Sequence, residues 1–148
     1  MILKEQLLDY SNIQPGDVYI FTANSMVKNS SLLMGGGAAL AAYEAYPGVD
    51  KLLGAEINKH LLGGVYGYVQ VPYNFIEVGA FQTKTVVWEP SKLDIIKIAS
   101  EMLSNKATKT PDIKYHLNYP GIGLGGLDVE EVQPIIESLL PDNIIVYK

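Results

Sequence analysis

The chain has no cysteine and no arginine. The first absence removes thiol nucleophiles, disulfides and cysteine-based metal centres. The second leaves lysine to supply all 11 basic side chains, against 16 acidic ones, for a formal net charge of -5. A duplex-binding surface needs clustered cations to neutralise phosphates, so an extended nucleic-acid footprint is not expected. A small phosphorylated ligand stays open, provided that backbone N–H groups and helix N-termini hold its phosphates. No apolar run approaches the length needed to span a bilayer, and the N-terminus lacks the basic region and long apolar core of a secretion signal. The expectation is therefore a cytoplasmic protein without membrane association. Histidine is scarce too. His60 is expected near a helix end, facing solvent, and His116 in or near a strand as a satisfied core residue. Two isolated histidines without close carboxylate partners make a poor metal site, so neither a metal nor a cofactor is expected.

What is present reads as one globular domain spanning 1–148, with 48% hydrophobic and 18% charged residues. Residues 1–8 form a short apolar segment suited to an edge strand, and 11–16 a turn. Residues 17–23 are rich in β-branched and aromatic side chains and nearly all apolar, as in a strand covered on both faces. A polar loop over 26–31 leads to an alanine-rich helix over 38–46, stopped by Pro47-Gly48. A second helix is predicted over 50–62, then strands over 65–71 and 75–81 separated by Pro72-Tyr73-Asn74. Ser91 with Asp94 three positions later reads as a helix N-cap. The helix it opens has Ile95, Ile96, Ala99, Met102 and Leu103 as its buried face. A polar connection over 105–111 precedes a strand over 113–117. Asp128 with Glu131 repeats the capping pattern, Pro134 sits near the first turns of the helix that follows, and 143–147 ends the chain as a strand. This alternation predicts a three-layer α/β/α domain with a largely parallel mixed sheet.

Two glycine clusters stand ahead of helices: Gly35-Gly36-Gly37, and Gly121-Ile122-Gly123-Leu124-Gly125-Gly126. Both follow predicted strands, which places both at the carboxyl edge of the sheet, where α/β domains bind ligands. The first lacks the Lys-Ser/Thr of a nucleotide-hydrolysing phosphate loop, and neither has the spacing of a dinucleotide fingerprint. Glycines also serve tight turns with positive φ. Two clusters on one edge favour an anion-bearing, nucleotide-like ligand between them.

In order along the chain, Ala23-Asn24-Ser25, Met34-Gly35-Gly36-Gly37-Ala38-Ala39-Leu40, Phe81-Gln82-Thr83-Lys84 and residues 121–132 resemble the macrodomain family, which binds ADP-ribose. The resemblance spans about residues 17–147 and is nearest to the branch of terminal ADP-ribose glycohydrolases and antitoxins that remove ADP-ribose from DNA. That branch has a Pro-Thr-Lys motif, an aromatic residue and a serine-rich helix start, matched here by Gln82-Thr83-Lys84, Trp88 and Ser91. The resemblance implies that Asn24 lies near the distal ribose. Gly35, Gly36, Gly37 and Ala38 would line that ribose and the diphosphate, Thr83 would flank the site, and Gly121 to Gly126 would wrap the diphosphate from the other side. Lys84 is the implied catalytic group, since a deprotonated lysine amine can attack an anomeric carbon. Tyr119 and Tyr147 are candidates for the adenine slot, with Gln6 or Asp9 to read the base.

The departures are specific. Gly125 stands where some of these hydrolases carry a catalytic aspartate, and Ala38-Ala39 where another hydrolase branch has one. Gln82 replaces the motif's proline, and Asp128, the nearest carboxylate, reads as a helix cap. The resemblance implies an ADP-ribose-binding macrodomain, and a hydrolase that releases ADP-ribose from an ADP-ribosylated macromolecule. The alternatives are a non-catalytic binder of ADP-ribose or a related nucleotide, and an ADP-ribose 1''-phosphate phosphatase.

Overall fold

A computed structural model describes all residues, 1–148. Its main sheet has six strands in the order β1-β8-β7-β2-β6-β5. These are β1 (Ile2–Lys4), β2 (Val18–Ala23), β5 (Tyr68–Tyr73), β6 (Ile76–Gln82), β7 (Tyr115–Asn118) and β8 (Ile144–Tyr147). Every neighbouring pair is parallel except the β5–β6 hairpin. Helices α1 (Ala38–Ala45) and α2 (Val49–His60) cover one face, and α3 (Leu93–Thr108) and α4 (Val129–Leu139) the other. This is the three-layer α/β/α arrangement with a largely parallel mixed sheet. No helix is long and apolar enough to cross a membrane.

Strand β2 shows why the sheet must be covered on both sides. Its side chains alternate in direction: Tyr19, Phe21 and Ala23 enter the core under α1 and α2, while Val18 and Ile20 enter the core under α3 and α4. The two cores hold 17 and 16 buried residues, so neither face is left for solvent. Each fully buried aliphatic or aromatic side chain stabilises the fold by roughly 1.5–3 kcal/mol relative to exposure.

Several elements differ from the sequence expectation. The polar loop after β2 contains a short hairpin, β3 (Val27–Lys28) with β4 (Ser31–Leu32), too brief to show periodicity. It packs on α2, where a Cβ at Gly54 would stand 2.8 Å from the Leu32 nitrogen. Strand β5 starts at Tyr68 and runs through Pro72 and Tyr73, which is possible because β5 is an edge strand and Pro72 withholds no needed N–H from a second neighbour. Helix α3 continues to Thr108 across the stretch expected as a connection, and Met102 on it is 41% exposed rather than buried.

The cap of α3 is Lys92, in extended conformation, and no side chain caps it. Ser91 is thus not the N-cap. By contrast, Asp128 caps α4 in a capping box with Glu131, whose carboxylate accepts the Asp128 N–H at 3.3 Å. Pro134 lies inside α4, where its absent N–H leaves the carbonyl of exposed Glu130 to water.

Both histidines have carboxylate partners, contrary to expectation. His60 ends α2 and meets Glu56 at 3.3 Å. His116 is buried, stacked on Tyr19, with Nε2 2.8 Å from Asp17 Oδ2 and Nδ1 2.7 Å from the Tyr147 hydroxyl. A carboxylate only accepts, so Nε2 carries a proton and donates to Asp17.

Candidate functional site: a crevice at the carboxyl edge

The chain leaves β2 for helices on one face and leaves β7 for a helix on the other, so a crevice opens between these two strands at their carboxyl ends. Regular pairing of β2 with β7 stops at Ile20 and Leu117. Beyond it, Asn118 bridges the splayed ends. Its Oδ1 accepts the Thr22 N–H at 2.9 Å and the Tyr10 hydroxyl at 3.3 Å, and its Nδ2 donates to Thr22 Oγ1 at 3.0 Å.

A cavity of about 380 Å³ fills the crevice, lined by three segments that follow β2, β6 and β7. The first contributes Asn24, Gly35, Gly36, Gly37 and Ala38, the second Thr83, Lys84, Val87 and Ser91, and the third Gly121, Ile122, Leu124 and Gly125. A second cavity of about 510 Å³ adjoins it, sharing Gly37, Ala38, Asn118 and Ile122 and continuing to Leu7, Leu8, Tyr10, Tyr119, Gly123, Tyr147 and Lys148. Both volumes suit small-molecule ligands, typically about 300–1,000 Å³.

Most residues expected at the site therefore share one cavity. Tyr119 and Gly123 stand instead in the adjoining, more apolar one, and Gly126 lines neither, since it turns away as the end of the short 3-10 turn Gly123–Gly125. Gln6 and Asp9 also line neither. Asp9 is exposed and accepts the Ser11 N–H and hydroxyl, which together lower its pKa. Trp88 is exposed outside both cavities, and His116 lines neither. Thr22, Asn118, Val87 and Ser91 line the first cavity without being expected there. Asn118 is the most accessible of them from sequence, as a polar residue closing an apolar strand.

Electrostatically the crevice is one-sided. No Asp or Glu lines either cavity, although the chain has 16; Lys84 is the one charged residue lining the first and Lys148 the one lining the second. Lys84 is half-buried and forms no ion pair. The backbone adds donors. The N–H groups of Gly35, Gly36 and Gly37, and of Gly121, Ile122 and Leu124, donate to no group in the chain. Helix α1 opens from Gly37 with no acidic residue in its first turn, so its N-terminal amides and partial positive charge also face the cavity. The start of α4 is different: Asp128, Glu130 and Glu131 already occupy it, and it offers nothing further to an anion.

The lysine and glycine segments are tied together. The Ser91 N–H donates to the Gly125 carbonyl at 2.8 Å, and the Lys92 N–H to the Thr83 carbonyl at 2.8 Å. Asn24 organises its own loop, donating from Nδ2 to the Leu33 carbonyl at 2.9 Å and accepting the Met26 N–H at 2.8 Å, which leaves one amide hydrogen free. Ser91 Oγ is buried without a partner, 2.5 Å from where a Cβ on Gly125 would stand. A side chain at 125 would have to displace the Ser91 hydroxyl.

In the adjoining cavity, the Tyr119 hydroxyl donates to Gln133, and burial first, then Glu137 and Glu130, raises its pKa. The Tyr147 phenol is raised by burial, then by Tyr19 and Asp17. Both phenols stay neutral, as suits the walls of an aromatic slot.

Fold and crevice together define an α/β domain with a lysine- and amide-lined crevice at the switch point of its sheet. No protein-family model and no curated protein sequence matches the chain. Among solved structures it is similar to the macrodomain of Mycobacterium tuberculosis DarG, at 20% identity, over 99% of this chain and 97% of that one, with a TM-score of 0.75. It is similar to the macrodomain of Thermus aquaticus DarG at 20% identity, over 99% and 96%, also with a TM-score of 0.75. Thermosipho africanus DarTG in complex with ADP-ribose matches at 17% identity, over 88% of this chain and 37% of that one, with a TM-score of 0.71. The chain has the macrodomain fold.

Proposed function

We propose that this protein binds ADP-ribose across the two cavities and releases it from an ADP-ribosylated macromolecule, with Lys84 as the catalytic residue. The observation that carries the reading is the row of unpartnered backbone amides on both sides of a cavity lined by lysine and no carboxylate. A diphosphate satisfies such donors without arginine. The adjoining apolar cavity with Tyr119 and Tyr147 suits the base, and the distal ribose then falls toward Asn24, Thr83 and Lys84. The ADP-ribose held by the Thermosipho africanus protein supports the choice of ligand.

The chemistry follows from the lysine alone. A neutral Lys84 amine attacks the anomeric carbon of the distal ribose while the bond to the macromolecule breaks, the leaving group taking the bonding pair. The proton shed by the new C–N ammonium passes to that leaving group. Water then adds at the same carbon, the amine departs with its pair and takes a proton from the water, and free ADP-ribose results.

Thermal-shift and calorimetric measurements with ADP-ribose test binding, because a ligand specific for the folded state raises apparent stability. Incubation with ADP-ribosylated DNA and protein tests release, which Lys84→Ala should abolish while ADP-ribose still binds. Equal release by Lys84→Ala removes the lysine from the chemistry. Binding without release from any substrate selects the second reading, a non-catalytic ADP-ribose module, which the carboxylate-free lining favours. Phosphate release from ADP-ribose 1''-phosphate selects the phosphatase.

A further inference from the structure

Gln82 ends β6 and is fully buried, yet all four hydrogen-bonding positions of its side-chain amide are filled. Oε1 accepts the Tyr66 N–H at 2.9 Å and the Gly67 N–H at 3.0 Å. Nε2 donates to the Gly64 carbonyl at 2.8 Å and to the Lys84 carbonyl at 3.1 Å. That last bond is the one hydrogen bond Lys84 makes anywhere in the chain. Its neighbours are fixed separately: the Thr83 N–H donates to Ala23, and the Thr85 carbonyl accepts from Ser25. Between these anchors, the orientation of the Lys84 peptide rests on Gln82. The far end of the amide holds the turn before β5, so the lysine is referenced to a rigid part of the sheet edge. A short or apolar side chain would leave two buried N–H groups and two carbonyls to find other partners, which is costly enough that one geometry prevails.

We propose that Gln82 is a positioning residue that aims Lys84 into the crevice by clamping its carbonyl to the 64–67 turn. This rests on the proposed role of Lys84 but concerns a residue that touches no ligand: Gln82 lines neither cavity. An amide is the side chain suited to the task, because it presents two acceptor and two donor positions in one plane.

Two variants test it in the full-length protein. Gln82→Met keeps the length and removes every polar atom; Gln82→Glu keeps the acceptor toward Tyr66 and Gly67 and sets an oxygen against the carbonyls of Gly64 and Lys84. Lysines carrying isotope-labelled methyl groups give an NMR signal for Lys84, assigned with Lys84→Arg, and ADP-ribose is the probe. In the unmodified sequence ADP-ribose shifts the Lys84 signal. In both variants ADP-ribose affinity should stay within about threefold, since the glycine turns are untouched, while the Lys84 shift is lost. Where release is measurable, kcat should fall on the order of 100-fold with KM little changed, the mark of a misaimed reacting group rather than a damaged binding site. If Gln82→Met does not fold, Gln82→Glu decides alone. Its Lys84 response should return in part at acidic pH, where the protonated carboxyl donates its single hydrogen to one of the two carbonyls. An unchanged Lys84 shift and kcat in a folded variant overturn the proposal. Failure of the unmodified protein to bind ADP-ribose overturns the functional reading instead, and binding that leaves the Lys84 signal still overturns the role of Lys84 and this clamp with it.

Discussion

Gly35 has a conformation open to any residue, and a Cβ added there would meet nothing within 4 Å. Neither backbone strain nor packing calls for glycine, unlike Gly125, which Ser91 crowds. What lies beside Gly35 is the cavity. A ligand that approaches the backbone closely is the remaining physical reason for a missing side chain. Gly35→Val should therefore abolish ADP-ribose binding, seen by calorimetry as at least a hundredfold loss (about 2.7 kcal/mol or more), while the melting temperature of the free protein hardly moves. If binding survives, the ligand does not run along this turn. The same residue-scale contrast explains what is legible in the sequence. Gly35-Gly36-Gly37 and residues 121–125 are contiguous runs whose meaning is local, so the amino-acid order alone points to them as walls of the crevice. Ser91 reads as a cap because its spacing to Asp94 satisfies the capping pattern. Its actual neighbours, Gly125 and Thr83 through Lys92, come from distant parts of the chain.

At the scale of elements, the two helix starts beside the crevice have opposite electrostatic fates. Helix α1 begins without acids and leaves its amides to the cavity, whereas α4 closes its own start with Asp128 and Glu131. The capping box is legible in sequence because it needs only two residues three apart. The division of the crevice into two cavities is not, because it depends on where β2 and β7 splay and on the side chain of Asn118 that bridges them. Nor is the place of Tyr119, one residue after β7, where alternation alone leaves open which cavity a ring enters. The division predicts separable effects. Asp128→Ala should cost about 1 kcal/mol of stability in denaturant unfolding through loss of the cap. ADP-ribose affinity should change by less than about twofold, because the capped helix start is not offered to the ligand. A large affinity loss without a stability loss would instead make Asp128 a ligand contact.

For the whole molecule, the unusual reserve is phenolic. Seven of the ten tyrosines have pKa values raised above the ordinary value. Burial is the leading cause in each case. The rise is greatest for Tyr10, Tyr46, Tyr66 and Tyr68. Tyr10 donates to the Ile20 carbonyl at 2.8 Å, Tyr46 to the Tyr10 carbonyl at 2.7 Å, and Tyr66 to the Asn24 carbonyl at 2.8 Å. A phenolate can make none of these bonds, so the folded state holds the proton that the unfolded chain releases near pH ~10. Above that pH the unfolded state binds fewer protons than the folded one, and unfolding stability must fall as pH rises. Below it, the tyrosine contribution is fully present and independent of pH. Denaturant midpoints measured across the alkaline range should be flat with respect to these groups until about pH 9–10 and then drop steeply. Phenolate absorbance of the buried set should appear together with loss of far-ultraviolet dichroism rather than ahead of it. Because the Tyr66 hydroxyl donates to the carbonyl of Asn24, which lines the first cavity, ADP-ribose affinity should disappear over that same transition. A phenolate signal that develops while the protein stays folded and still binds would show that these tyrosines are not held as the structure has them.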